Sequence, residues 1–117
     1  MDKYQAVLQE LIKASGIEGA TLVSLDGLPI ASVLSPDAEE DKIAAMSAAI
    51  LSLGERVVEE LQKGNLEQIT IKGNHGYIVI TGIGQDAVLT TLAGENAKLG
   101  LIYMEIKKAQ QQLKELM

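Results

Sequence analysis

The sequence predicts an α+β domain, a five-stranded antiparallel sheet with helices on both faces, in the order α-β-β-α-β-β-β-α. Three observations carry that expectation. The stretch from Leu22 to Val33 sets two apolar runs around Asp26-Gly27, a dipeptide suited to a tight hairpin turn. Residues 66–94 fall into three further short runs rich in Ile, Val and Thr, separated by glycine-containing turns. Around these lie three stretches whose apolar residues recur at spacings of three and four.

Taken in order, Asp2 to Ser15 reads as a helix with Tyr4, Val7, Leu8, Leu11 and Ile12 on one face. Asp2 with Gln5 resembles a capping box, and Gly16 supplies a stop. The hairpin follows. A two-residue Asp26-Gly27 turn would set Leu25 opposite Leu28 and Ser24 opposite Pro29, with both turn residues at positive φ. Pro29 cannot donate a ladder hydrogen bond, so its strand should be an edge of the sheet. Apolar residues fall on both faces of the hairpin: Val23, Leu25, Leu28 and Ile30 on one, Leu22, Ala31 and Val33 on the other. Such a sheet needs covering on both sides.

The second helix is expected to open at Ser35-Pro36-Asp37, with Asp37, Glu39, Glu40 and Asp41 complementing its positive end, and to close at Lys63-Gly64. About 25 residues would span roughly 37 Å. It carries two apolar stripes. Ile43, Met46, Ile50, Leu53, Val57 and Leu61 form a bulky seam, and Ala44, Ala48, Leu51 and Val58 lie beside Ala45, Ala49, Ser52 and Gly54. One stripe suffices to dock the helix on its own sheet. The Ala-rich one, poor in bulk, is expected to permit close approach of another helix.

The third strand, Leu66 to Lys72, alternates Ile69 and Ile71 against Gln68, Thr70 and Lys72. Gly73 to Gly76 is a turn. Tyr77 to Thr81 is apolar on both faces and should be interior, and Ala87 to Leu92 is the last strand before Gly94. A final helix begins near Asn96 with Leu99, Ile102, Ile106, Ala109, Leu113 and Leu116 at helical spacing. No linker or internal repeat interrupts residues 1–117, which read as one domain able to bury roughly 65% of its unfolded surface.

Composition narrows the function classes. The chain has no Cys, which removes disulfides, thiolate nucleophiles and thiolate zinc sites. A net charge of −6 opposes a phosphate backbone, and three Tyr without Phe or Trp leave little for base stacking, so no nucleic-acid partner is expected. No apolar run approaches the roughly 20 residues of a membrane span and no signal peptide opens the chain, so a soluble, cytoplasmic protein is expected.

The edges of the sheet point to self-association. Pro29 blunts one boundary, whereas the third strand has no proline and only modest charge. The over-long second helix precedes that strand and carries a spare apolar stripe. A symmetric homodimer would satisfy both surpluses at once.

This element order, with the TLVSLDGLPIASV hairpin after a short first helix and an Ala-rich second helix, resembles the roadblock/dynein light chain seven family over essentially the whole chain. It is similar to small stand-alone prokaryotic members such as the gliding-polarity partner of a Ras-like GTPase. The resemblance implies a profilin-like sheet and a homodimer formed through the second helix and third strand. It also implies binding of a small Ras-like GTPase on the paired second helices. The extensions that polarity proteins carry beyond the domain are absent from this sequence.

Catalytic chemistry is sparse. His75 is the only histidine and sits in a turn, where it reads as a solvated residue. Gly73-x-x-Gly76 and Gly82-x-Gly84 lack the Lys-Ser/Thr context of a phosphate cradle and read as turns. Ser24, Ser32 and Ser35 have no base nearby in sequence. Arg56, the sole arginine, could act as an arginine finger, but its mid-helix place beside Glu59 and Glu60 favours a solvated ion pair. The expectation is therefore a non-enzymatic module without catalytic residue, cofactor or metal. Met46, Ala49, Ile50, Leu53, Val57, Ile69 and Ile71 are the candidate dimer interface and partner platform. Two other readings stand beside it. One is a ligand sensor of the profilin, PAS or GAF kind, which three scattered tyrosines disfavour. The other is a structural subunit using the last helix, with Lys107, Lys108 and Lys114 on its outer surface.

Overall fold

The computed structural model describes residues 2–117. Its elements are α1 (Lys3–Leu11), β1 (Ile17–Ser24), β2 (Pro29–Val33), α2 (Glu40–Glu60), β3 (Ile69–Gly73), β4 (Gly76–Ile83), β5 (Ala87–Gly94) and α3 (Leu99–Leu116). The strands form one antiparallel sheet in the order β2-β1-β5-β4-β3. The predicted fold class and element order are thus the observed ones, with Pro29 on one edge strand and β3 as the other.

The two faces are covered unequally. Helices α1 and α3 lie on one, where Leu8, Leu11, Ile102, Ile106 and Leu113 pack with Leu22, Val79 and Leu89. Helix α2 lies alone on the other, over Val23, Ile80 and Val88. This inequality positions the candidate site.

Local chemistry shifts several predicted boundaries. Asp2 caps α1 by accepting from the Tyr4 amide at 2.8 Å, but Gln5 does not complete a capping box. Its side-chain amide donates to the Ser32 carbonyl at 2.8 Å and ties α1 to β2 instead. Helix α1 also ends at Leu11, well before Gly16.

The hairpin register differs by one residue on its first strand. Val23, not Ser24, faces Pro29. The Ser24 amide donates to the Leu28 carbonyl at 2.8 Å and the Gly27 amide to the Ser24 carbonyl at 3.0 Å. The loop is therefore Leu25-Asp26-Gly27, a three-residue turn in which Gly27 alone takes the left-handed conformation, at φ +86°. Such loops rival the two-residue type because one glycine meets their conformational demand, where an Asp-Gly pair must place Asp at positive φ too. Pro29 still falls opposite a non-bonded position, so the edge assignment survives the slip.

Helix α2 starts at Glu40 rather than at Ser35. Ser35 donates its hydroxyl to Asp37 at 2.8 Å, and the Ala38 amide closes a separate turn on the Ser35 carbonyl at 3.0 Å. At its far end the Lys63 amide reaches the Val58 carbonyl at 2.9 Å, and Gln62, not Gly64, holds the left-handed capping position at φ 58°. The helix is 21 residues, about 31 Å long.

The two stripes of α2 exchange their expected roles. Ala44, Ser47 and Leu51 are the buried line against the sheet, and Ser47 accepts a 2.7 Å hydrogen bond from Thr90 of β5. Gly54 continues that line. A Cβ there would lie 2.6 Å from Ile69 Cδ1 and 3.3 Å from Leu66 Cδ2, so glycine lets α2 settle on β3. Small residues thus serve close helix-to-sheet contact within the chain, and the bulky seam is left facing outward. Leu66 and Gln68 precede β3 rather than belonging to it, with Leu66 packing beneath α2.

Candidate interaction site

The candidate platform is built by α2 and the edge of the sheet. At about 100° per residue, Met46, Ile50, Leu53 and Val57 occupy one flank of α2, roughly 120° from the sheet-facing line. Met46 is 49% exposed and Leu53 62%, with Val57 similar and Ile50 half-buried. Ala49 lies exposed beside them. A fully buried side chain of this kind contributes roughly 1.5–3 kcal/mol, so the row, about half exposed, forgoes roughly twice that amount in the lone chain.

The opposite flank of α2 rests on the hairpin turn. A Cβ on Gly27 would sit 3.3 Å from Ala45 Cα and 3.8 Å from Ala48 Cβ. The bulky flank therefore looks along the strands toward their other ends. There the sheet continues beyond the helix. On β4, Ile80 beneath α2 is 1% exposed, while Ile78, two residues on, is 37% exposed. Ile78 pairs with Ile71 of β3 and with Leu92 of β5, both half-buried on the same face. Together they make an apolar floor beside an apolar wall.

The structure gathers the predicted residues as follows. Met46, Ala49, Ile50, Leu53 and Val57 share the outward parts of α2. Ile69 lies beneath the helix near Gly54, and Ile71 begins the open floor. Ile78 and Leu92 belong to this site but escaped the sequence. Both strands read as apolar on two faces and hence fully covered, and only the position of α2 shows which half lies open.

Strand β3 supplies the second element. Asn74 and His75 form a two-residue turn that pairs Gly73 with Gly76. The ladder alternates from there, so Ile71 and Ile69 bond toward β4, and Thr70 and Lys72 present their N–H and C=O groups outward. Among the described residues no strand takes those groups.

Reactive chemistry is not assembled around this platform. Arg56 pairs with Glu60 at 3.2 Å on an exposed turn of α2, as its i,i+4 spacing suggests. His75 is almost fully exposed, with Glu95 at 3.7 Å. Among the described residues no group of three or more His, Asp or Glu side chains is placed to hold a metal ion. The serines serve locally: Ser24 Oγ accepts from the Leu28 amide at 3.1 Å, Ser32 bonds Thr21 at 2.7 Å, and Ser35 bonds Asp37. A groove of about 680 Å³ runs between the C-terminal halves of α2 and α3, with Glu55, Gln68, Tyr103, Gln110 and Lys114 along it. Its polar walls differ from the apolar lining usual for small-molecule pockets. Among the described residues no helix is long and apolar enough to cross a membrane.

Comparison with known proteins fits this geometry. Two proteins of Methanocaldococcus jannaschii, the uncharacterized proteins MJ1340 and MJ0310, are each 36% identical over 110 residues, covering 94% of this chain and 96% of the relative. Among solved structures, Myxococcus xanthus MglB superposes with a TM-score of 0.93 at 21% identity, over 99% of this chain and 95% of that one. The gliding protein MglB of Thermus thermophilus gives 0.85 at 20% identity, over 98% and 91%. Acanthamoeba castellanii profilin IB gives 0.70 at 13% identity, over 97% and 98%, so the sheet is profilin-like as expected. The model of the Roadblock/LC7 domain matches residues 3–93; this chain belongs to the Roadblock/LC7 domain family.

Proposed function

We propose that this chain is a non-enzymatic homodimeric module that binds a small Ras-like GTPase and regulates or scaffolds it. The observation that carries the reading is the coincidence of two unfilled surfaces, the apolar wall of α2 with its floor and the open edge of β3. A two-fold axis beside β3 would pair each β3 with its copy, extend the sheet to ten strands, and lay the second α2 against the first over Ile71, Ile78 and Leu92. Met46, Ile50, Leu53 and Val57 would then be covered in both protomers, and the paired helices would present a broad surface to a client. The GTPase client follows from the family resemblance. A solved neighbour described as MglB with tetrameric arrangement adds weight to self-association.

Such a module would act by positioning, with any effect on GTP hydrolysis coming from ordering the client's own groups. The test is sedimentation equilibrium of the purified chain, then GTP turnover by the Ras-like GTPases of the source genome with and without it. A dimer that binds one of these GTPases in a nucleotide-dependent way is the expected result. A stable monomer, or a dimer indifferent to every such GTPase, would overturn it.

A further inference from the structure

The outer face of α3 mixes large apolar side chains with unpaired cations. At about 100° per residue, Leu101, Met104, Lys107, Lys108 and Lys114 all lie at least ~110° from the buried line of Ile102, Ile106, Ala109 and Leu113, and all five are exposed. Met104, at 67%, is the most exposed large apolar side chain among the described residues, and Leu101 stands at 58%. No described carboxylate pairs with any of these three lysines. Gly100 adjoins the same surface in the first turn, and a Cβ there would meet nothing within 4 Å. Glycine weakens a helix, and no neighbour within the chain requires it at this place.

The charge of the chain is polarised toward this face. Residues 2–13 and 98–117, which hold α1 and α3, carry six Lys against four Asp and Glu, whereas the rest of the chain carries four bases against twelve acids. A net charge of −6 thus separates into −8 and +2, the positive part lying on the side of the sheet opposite α2. The face exists in the lone chain. A dimer about β3 would keep both copies of α1 and α3 on one side of the extended sheet, and so present two such faces together, away from the paired α2 helices. A further copy of the chain suits this face poorly, because a two-fold contact through α3 would bring its lysines toward their own counterparts.

We propose that the outer face of α3 is a docking surface for an anionic lipid bilayer, with Leu101 and Met104 entering the headgroup layer and Lys107, Lys108 and Lys114 contacting lipid phosphates. Peripheral binding of this kind draws on apolar area together with lysine charge. Lysine stems lie along apolar surface while their ammonium groups reach the phosphates, and the bare backbone at Gly100 lets the headgroup plane come close to the helix. The helix lies on the membrane and does not cross it, in keeping with the lack of a spanning helix among the described residues. The α2 side then faces away from the bilayer. This adds a location to the function proposed above and holds whichever client the module serves.

The experiment floats the full chain with vesicles of phosphatidylcholine alone or with about 30% phosphatidylglycerol, at about 0.05 and 0.5 M NaCl. Wild type should bind the anionic vesicles at low salt, leave them at high salt, and ignore the neutral ones. Leu101→Ser/Met104→Ser should lose at least ~5-fold in affinity, and Lys107→Glu/Lys108→Glu at least ~10-fold. Arg56→Glu/Lys63→Glu makes the same charge change away from α3 and should stay within about twofold of wild type. The chain has no Trp, so Met104→Trp supplies a single reporter whose emission should shift to the blue on anionic vesicles. Circular dichroism checks the fold of each variant. Sedimentation reads self-association separately, so the dimer and the bilayer contact can fail independently. Wild type that stays in solution with anionic vesicles overturns the proposal, as does equal binding by wild type and Lys107→Glu/Lys108→Glu. An unmoved Met104→Trp emission on bound vesicles would place the contact elsewhere and overturn it as well.

Discussion

The two edges of the sheet are treated oppositely. At β2, Pro29 removes an outward donor, the Gln5 amide occupies the Ser32 carbonyl, and α1 is held against the strand by that bond. At β3, Thr70 and Lys72 leave their main-chain groups free, and the nearest side-chain contact, Thr70 Oγ1 to Tyr103 OH at 2.8 Å, lies on a face of the sheet and not along the edge. One chain thus protects one edge with three devices and the other with none. Exposed edges invite pairing with other chains, and natural proteins blunt them where pairing is unwanted. The contrast teaches that the open edge lies on the side of the molecule that carries the apolar wall and floor, where the proposed second copy would pair.

The comparison can be broken by changing each half of it. The largest effect is expected from Leu53→Glu. The side chain is well exposed in the lone chain, so the fold should be kept, while two carboxylates buried about a dyad should cost about 3–5 kcal/mol and raise the dimer dissociation constant at least ~100-fold. Sedimentation velocity with circular dichroism separates the two consequences; an unchanged dimer would place the interface away from α2. Next is Thr70→Pro, which copies the protection of β2 onto β3. It removes one outward donor per protomer and no bond to β4, so dimerisation should weaken by roughly 2 kcal/mol, about 30-fold, with the monomer still folded.

A smaller effect sharpens the account of how α2 sits. Gly54→Val forces a branched side chain against Ile69 and Leu66, and should destabilise the chain by about 1–3 kcal/mol in urea, most visibly in dispersion of the β3 signals. Smallest is Gln62→Gly at the left-handed cap of α2, which should raise stability by roughly 0.5–1 kcal/mol and leave dimerisation untouched. A loss of stability there would mean that the Gln62 side chain does more than tolerate its conformation.

Much of this was legible in the residues. Pro29 announced one edge, the alternation of Ile69 and Ile71 against Thr70 announced a one-sided strand, and two apolar stripes on one helix announced a surplus, though not which stripe it was. What escaped depends on three-dimensional placement. The Ala44–Ala48–Leu51 stripe was expected to receive another helix, because small residues permit close approach. The sheet exploits the same property, through Ser47, Thr90 and Gly54. The hairpin slipped because Asp-Gly serves both two- and three-residue loops, and the choice turns on whether Asp26 or only Gly27 adopts positive φ. Ile78 and Leu92 could not be assigned to the open floor until the helix was seen to cover only half of its face.

The central claim is that β3 is completed by a second copy, and amide hydrogen exchange at Thr70 and Lys72 tests it most directly. These amides should exchange slowly in wild type at concentrations that favour association and rapidly in Leu53→Glu, while Ile69 and Ile71, bonded to β4, stay protected in both. Rapid exchange at Thr70 and Lys72 in an associated wild-type sample would contradict the claim.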